Sequence, residues 1–338
     1  LMRSSAASDV YKRQINPCAS FNFIDKSHNK MDAKFKGSIY GIIAAISYGT
    51  NPLGALSLYE AGINANSVLF YRFLLAAFFL GGLMFIQDKS FRVTRKELGI
   101  LAGLGILFAA SSLTLFLSFH YMDAGIASTI LFVYPVIVTI IMAIFFKEKT
   151  SLITVLSILL AIGGIGLLYK GNNGSVLNAT GVLLVMLSSL SYALYIIAVN
   201  KSSLRMSSIK LTFYVLLFCT LTIMVQSFFD STNHLQLLTT SSMWIFAIML
   251  ALVPTVISLV FMVIAVRQIG STPTAIMGAL EPLTAVVIGI TIFNEMFTLR
   301  LAVGIMMILI AVILIIIGKS TQIRTLTVAI IYICLLYT

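Results

Sequence analysis

Ten apolar stretches run through this sequence, each close to the roughly 20 residues that a helix needs to cross the hydrocarbon of a bilayer. They occupy 37–59, 66–86, 98–120, 124–146, 152–169, 178–199, 211–229, 243–266, 274–293 and 301–318, and the connectors between them are short. A chain in lipid must satisfy its backbone polar groups internally, so apolar runs of this length fold as helices. The composition agrees. Hydrophobic residues make up 59% of the 338 residues and charged residues 10%, where soluble domains carry about a quarter; mean hydropathy is +1.05. No room remains for a soluble domain. The expected fold class is an all-α integral membrane protein with ten transmembrane helices.

Basic residues set the orientation. With the N-terminus inside and ten crossings, the inner side collects Lys26, Lys30, Lys34 and Lys36, then Lys89, Arg92, Arg95 and Lys96. Lys147, Lys149, Lys201, Arg205, Lys210, Arg267, Lys319 and Arg324 fall on that side too, and only Lys170 and Arg300 fall outside. Positive residues gather on the cytoplasmic side of membrane proteins, which predicts a multi-pass protein of the inner (plasma) membrane with both termini cytoplasmic. The net charge of +11 is then topology and contact with anionic lipid, and nucleic acid is not an expected partner.

Two parts of the chain carry one mark. Pro135 lies in an apolar run that ends at Phe146 and is followed by Lys147 and Glu148; Pro282 lies in one that ends at Phe293 and is followed by Asn294 and Glu295. The step from proline to glutamate is the same in both. Ile46-Ser47-Tyr48 likewise returns as Leu190-Ser191-Tyr192. Long internal repeats in a membrane chain point to a transporter built from related halves. Five spans per half is an odd number, so the halves are expected to be inverted five-helix repeats.

The stretches GIASTILFVYPVIVTIIMAIFFKEK (125–149) and STPTAIMGALEPLTAVVIGITIFNE (271–295), with Phe70-Tyr71-Arg72-Phe73 in the second span, resemble the EamA family of the drug/metabolite transporter superfamily. The resemblance covers about 31–320, with a first EamA-like repeat at 31–170 and a second at 178–320. It implies export or uptake of small metabolites without ATP hydrolysis, and leaves substrate and direction open. The segments 1–30 and 321–338 are set apart as non-native or tail. Residues 1–14 and the final CLLYT resemble translated sequencing-adapter read-through, and Met31 is a plausible native start.

Polarity inside a bilayer is costly, and so marks function. Arg72 and Glu281 are the two formal charges well inside the spans. Arg72 lies about 9 Å deep from one side and Glu281 about 10 Å deep from the other, in a core about 30 Å thick. Glu281 is expected to exchange a proton or bind a cationic group. Arg72 is expected either to hold a substrate carboxylate, which suits an amino-acid-like zwitterion, or to serve structure. Tyr134 stands where Glu281 stands in the other half, each just before the shared proline. Tyr48 and Asn51 share a face of the first span, and Tyr192 and Tyr195 a face of the sixth. These four, with Ser188 and Ser191 beside them, either line a cavity or act as interhelical hydrogen bonds.

Pro52, Pro135, Pro254 and Pro282 lie inside spans. Each frees the carbonyl four residues earlier, namely that of Tyr48, Leu131, Leu250 and Gly278, for which lipid offers no donor. They are the expected helix breaks, where transporters place their sites. The glycines at 99, 103, 105, 163, 164 and 166 read as close helix packing. Glu148 and Glu295 fall at opposite faces and are expected to make hydrogen bonds at span ends.

Enzymes are constrained by what is missing. The sequence has no H-E-x-x-H, no phosphate-binding glycine loop with its lysine and no metal-ligand spacing among its dispersed histidines and cysteines, so no cofactor or metal is expected. The sequence thus points to a secondary transporter working by alternating access, with a small-molecule substrate, the lipid bilayer and candidate protons as partners. The alternative is a membrane-embedded enzyme or lipid-handling protein with an internal cavity. Substrate, coupling ion and oligomeric state are not legible.

Overall fold

The computed structural model describes residues 35–147, 152–169, 178–202, 204, 206–229, 234–269, 274, 277–295 and 298–314. The expectations about 1–30, 321–338 and Glu148 fall outside them. Among the described residues there are helices and no strands. The helices are α1 (35–49), α2 (Asn51–Glu60), α3 (Ala65–Ile86), α4 (Arg95–Ser118), α5 (Ala124–Leu131), α6 (Tyr134–Phe146) and α7 (Leu152–Tyr169). There follow α8 (Ala179–Lys201), α9 (Ser208–Phe229), α10 (Ser241–Ala251), a π-helical turn (Leu252–Ile257), α11 (Ser258–Ile269), α12 (Leu280–Ile292) and α13 (Leu299–Leu314).

Six helical stretches are long and apolar enough to cross a membrane: Ala65–Ile86, Arg95–Ser118, Ala124–Phe146, Ala179–Val199, Ser208–Phe229 and Ser241–Met262. The structure therefore supports six of the ten expected spans by length. The first is divided at Thr50, and Val155–Leu167, Leu280–Ile292 and Leu299–Leu314 are apolar but shorter.

Helix starts follow local chemistry. The Asn64 side chain accepts from the Ser67 amide at 2.9 Å and caps α3. Thr94 and Glu97 close a reciprocal capping box on α4. Asn178 caps α8 through the Thr180 amide at 2.9 Å. Proline sits in the first turn of α2 and of α6, where its missing amide costs nothing.

The outside of the bundle is apolar. Phe78 is 74% exposed, Phe145 75% and Phe229 85%, which in water would mark a large interaction surface and in lipid is the ordinary state. Inside, Phe73, Phe116, Leu69, Leu104, Leu216 and Leu250 are fully buried. Helices far apart in sequence pack closely: α4 on α8, α3 on α9, α5 on α12, and α2 on α10. Gly105 lets α9 approach α4; a Cβ there would lie 2.4 Å from the Phe218 Cβ. Gly164 does the same for α7 against α13, where a Cβ would meet the Gly304 carbonyl at 2.9 Å. The expectation of close packing fails at Gly99, Gly103 and Gly166, which face open space. They lie on helix faces turned away from any neighbour within reach.

Candidate functional site

The helix interruptions converge. Helix α1 stops at 49, and α2 restarts at Asn51 with Pro52 in its first turn. Helix α5 stops at Leu131, and α6 restarts at Tyr134 with Pro135 next. Gly278 and Ala279 form a turn before α12, whose first turn holds Glu281 and Pro282. Pro254 sits in the π-helical turn between α10 and α11.

Each freed carbonyl finds a donor. Asn51 Nδ2 donates to the Tyr48 carbonyl at 2.8 Å. Ser189 Oγ, on α8, is shared between the carbonyls of Leu131 at 3.2 Å and Ile130 at 3.3 Å. Thr255 Oγ1 donates to the Leu250 carbonyl at 3.1 Å. The Glu281 amide donates to the Gly278 carbonyl at 3.0 Å. A bilayer requires this, because an unanswered carbonyl in hydrocarbon costs several kcal/mol.

Between the interruptions lies a cavity of about 80 Å3. Tyr48, Asn51, Tyr134, Tyr192 and Glu281 line it, with Pro52 and Pro282 at its edge. Its wall is otherwise mostly apolar, with Leu115, Leu131, Phe132, Leu259 and Met262, and Ser128 and Ser258 add hydroxyls. The rings of Tyr134 and Tyr192 meet edge to face, 4.7 Å between centroids and 83° between planes. Phe132 packs edge-on to Tyr134. Gly49 lets the first interruption lie against the third; a Cβ there would sit 2.5 Å from the Thr284 Cβ and 2.6 Å from the Glu281 carbonyl.

The polar inventory of the cavity is one carboxylate, one amide and several neutral hydroxyls, with no cationic side chain. Glu281 interacts electrostatically with Tyr48, Tyr134 and Tyr192. Among the described residues, its carboxylate accepts no hydrogen bond and pairs with no cation. Asn51 is 6% exposed; its amide nitrogen is spent on the Tyr48 carbonyl and its Oδ1 has no partner.

Arg72 is not among the residues that line this cavity, but it bonds to one of them, Tyr48. Its Nε donates to Thr255 Oγ1 at 3.1 Å, its guanidinium lies 5.7 Å from the Phe73 ring centroid and 5.5 Å from that of Phe116, and it interacts with Tyr48. Thr255 passes the bond on to the Leu250 carbonyl that Pro254 frees. Arg72 thereby fastens α3 to the π turn. Tyr195 also stands back from the cavity, stacked on Tyr192 at 5.9 Å and against Phe108 at 5.3 Å. Ser188 joins α8 to α4: its Oγ donates to the Ser111 carbonyl at 2.7 Å, and Ser111 Oγ returns a bond to the Ser188 carbonyl at 3.0 Å. Of the polar positions expected on the sixth span, Tyr192 meets the cavity, and Ser188 serves helix contact.

Glu295 closes the far end of the same helices. Its Oε1 accepts from the Ala124 amide at 2.7 Å and its Oε2 from the Gly125 amide at 3.3 Å, the first two amides of α5. Negative charge at a helix N-terminus is favourable. Gly289 makes room, since a Cβ there would lie 2.0 Å from Glu295 Oε2. Burial pushes the Glu295 carboxyl above its usual range, Asp123 adds to that rise, and the two amides oppose it; burial likewise raises Asp123. Lys147 (φ 52°) and Asn294 (φ 54°), the residues that follow Phe146 and Phe293, both adopt the left-handed conformation.

Sequence reasoning missed Ser128, Phe132, Ser258, Leu259 and Met262 as cavity residues, and Ser189 and Thr255 as donors to freed carbonyls. The last two carried a usable signal: Thr255 follows a proline, and Ser189 falls beside Ser188 and Ser191.

The EamA-like transporter family model matches this chain twice, over residues 35–170 and 179–317. Two curated proteins of Bacillus subtilis (strain 168) are similar along most of their length. Uncharacterized transporter YcbK is 23% identical over 288 residues, spanning 82% of this chain and 92% of that protein. Uncharacterized transporter YvbV is 22% identical over 254 residues, spanning 70% and 79%. A previously solved crystal structure superposes with a TM-score of 0.60 at 15% identity, over 86% of this chain and 98% of that one, which shows a shared fold.

Proposed function

This chain belongs to the EamA-like transporter family, and on that premise we propose that it is a secondary carrier that moves a small metabolite across the plasma membrane by alternating access. The observation that carries this reading is the cavity at the junction of three helix interruptions, with Glu281 on its wall. Interrupted helices beside a midplane cavity are where secondary carriers hold their substrates.

Ten spans in two inverted halves fit the packing. Numbered along the chain, the third span packs on the sixth and the first on the eighth. Exchanging the halves turns one of these contacts into the other. The second packs on the seventh and the fourth on the ninth, and exchange leaves each contact unchanged. The two family matches, at 35–170 and 179–317, support the same division. Rocking one half against the other would open the cavity to each side in turn. A carboxylate at that depth needs a proton or a cationic ligand, so Glu281 is the candidate coupling group.

Counterflow tests the reading. The full chain in proteoliposomes, preloaded with an unlabelled metabolite mixture, should accelerate saturable entry of its labelled components above empty vesicles; an absence of saturable exchange for every component would sink the carrier. Orientation is tested by single cysteines and an impermeant reagent. Positions 173 and 233 should label from outside and position 92 should not.

A further inference from the structure

The substrate itself is constrained by the charge of the cavity wall, which carries a carboxylate and no cationic side chain. At its wall Asn51 Oδ1 is buried without a partner and the Glu281 carboxylate pairs with no cation among the described residues; both only accept hydrogen bonds, whereas the neighbouring hydroxyls of Tyr134, Tyr192 and Ser128 are neutral and can also donate. The orientation of the Asn51 amide is fixed, because its nitrogen donates to the Tyr48 carbonyl. The surrounding rings, Tyr48, Phe132, Tyr134 and Tyr192, present π-faces that attract cations and repel anions. Arg72 is bonded to Thr255 and to the wall residue Tyr48 and lies over two phenylalanine rings; it touches the wall through Tyr48 and is not itself among the lining residues.

We propose that the carried solute is a small organic cation: a primary or secondary ammonium on an apolar, preferably aryl, body, with no carboxylate of its own. The ammonium N–H groups donate to the Glu281 carboxylate and to Asn51 Oδ1, and the body lies among the tyrosine rings. This rests on the carrier reading given above and narrows it. An amino-acid zwitterion is disfavoured, because its carboxylate would meet a wall that carries a carboxylate and no cationic side chain, with only neutral hydroxyls to donate to it. The size sets a limit: at about 80 Å3 the cavity is smaller than the roughly 150 Å3 that holds a benzene ring, so a single-ring amine is accommodated once rocking of the halves widens it.

The test is counterflow of four matched labelled probes through the full chain in proteoliposomes: 2-phenylethylamine, phenylalanine, 3-phenylpropanoate and 2-phenylethanol. The expected result is saturable exchange of the amine at least tenfold above empty vesicles, and little protein-dependent exchange of the other three. Glu281→Gln should abolish amine exchange, whereas Glu281→Asp should weaken it and keep the preference for the cation. The wild-type probe series decides the matter even if the variants do not fold. Exchange of phenylalanine or 3-phenylpropanoate as fast as the amine overturns the cation proposal and leaves the carrier standing. So does exchange of 2-phenylethanol at that rate. If none of the four exchanges while components of a labelled metabolite mixture do, the cation proposal again falls alone. If nothing exchanges, both fall.

Discussion

Around the repeated proline, the two stretches that the family model matches agree in backbone and disagree in chemistry. Pro135 and Pro282 each sit in the first turn of a restarted helix, and the spans they belong to end in the same left-handed turn, at Lys147 and Asn294. Yet the residue before the proline is Tyr134 in one half and Glu281 in the other. The match of Ser47-Tyr48 with Ser191-Tyr192 carries on to Gly49 with Ala193, Asn51 with Tyr195 and Pro52 with Ile196. The first of these segments is broken at Thr50, and the second runs on as unbroken helix α8. The cavity lies where the halves differ. Repetition supplies the scaffold, and divergence at a few matched positions supplies the polar wall.

The largest expected effect contrasts the matched pair Tyr134 and Glu281. Glu281→Gln should cut transport at least tenfold, about 1.4 kcal/mol, and flatten its pH dependence, whereas Tyr134→Phe should change the rate less than threefold. Initial rates of substrate entry into proteoliposomes measure both. Equal losses at the two positions would show that the asymmetry has no functional weight.

Next comes Gly49 against Ala193. Gly49→Ala places a methyl group 2.5 Å from the Thr284 Cβ; overpacking of this kind costs about 1–3 kcal/mol. Ala193→Gly, in the unbroken helix, should cost about 0.5–1 kcal/mol through chain entropy. Thermal unfolding in detergent gives the order, and a reversal would mean that the first interruption is free to move away from α12.

A smaller effect belongs to the donors. Ser189→Ala strips the Leu131 carbonyl of its side-chain partner and should lower stability by about 0.6–1.7 kcal/mol, the span of intramembrane hydrogen bonds. The same thermal measurement checks it. No loss would mean that water reaches that carbonyl.

The smallest concerns Glu295 and Asp123. Both carboxyls are raised in the folded state. Their contribution to stability is therefore fully present below the unfolded pKa, near 4, and is lost as pH rises through the raised values. Asp123→Asn removes a cause of the Glu295 rise, so stability should fall less between pH 4 and 7 than in the parent chain. Melting temperature against pH reads this directly, and parallel curves would show that the two carboxyls do not interact.

Legibility in the sequence followed the physics of each signal. The apolar spans and the repeated proline–glutamate mark were visible because lipid imposes length and apolarity on any crossing helix. Glu281 was visible because a charge at depth is rare. The role of Arg72 could not be read. Its span is apolar nearly all round, so no polar stripe fixes its rotation about the helix axis, and rotation decides whether a guanidinium meets a cavity or Thr255. The same holds for Ser188 and Ser189, neighbours in sequence that bond to different helices, α4 and α5. Four interruptions were anticipated at prolines, but the partners that make them tolerable come from α8 or from the turns themselves, and such pairings carry no local pattern.

The bonds from Ala124 and Gly125 to Glu295 span about 170 residues of chain. A ribosome adding about 5–20 residues per second leaves an interval of roughly 10–30 s in which α5 is already made and its capping carboxylate is not. During that time the opening amides of α5 must be held by water, lipid headgroups or the insertion machinery. The first half is thus a client of its own C-terminal half during biogenesis, and a truncation just short of Glu295 should be recognised by membrane quality control as an unfinished protein even though most of its crossings have been made.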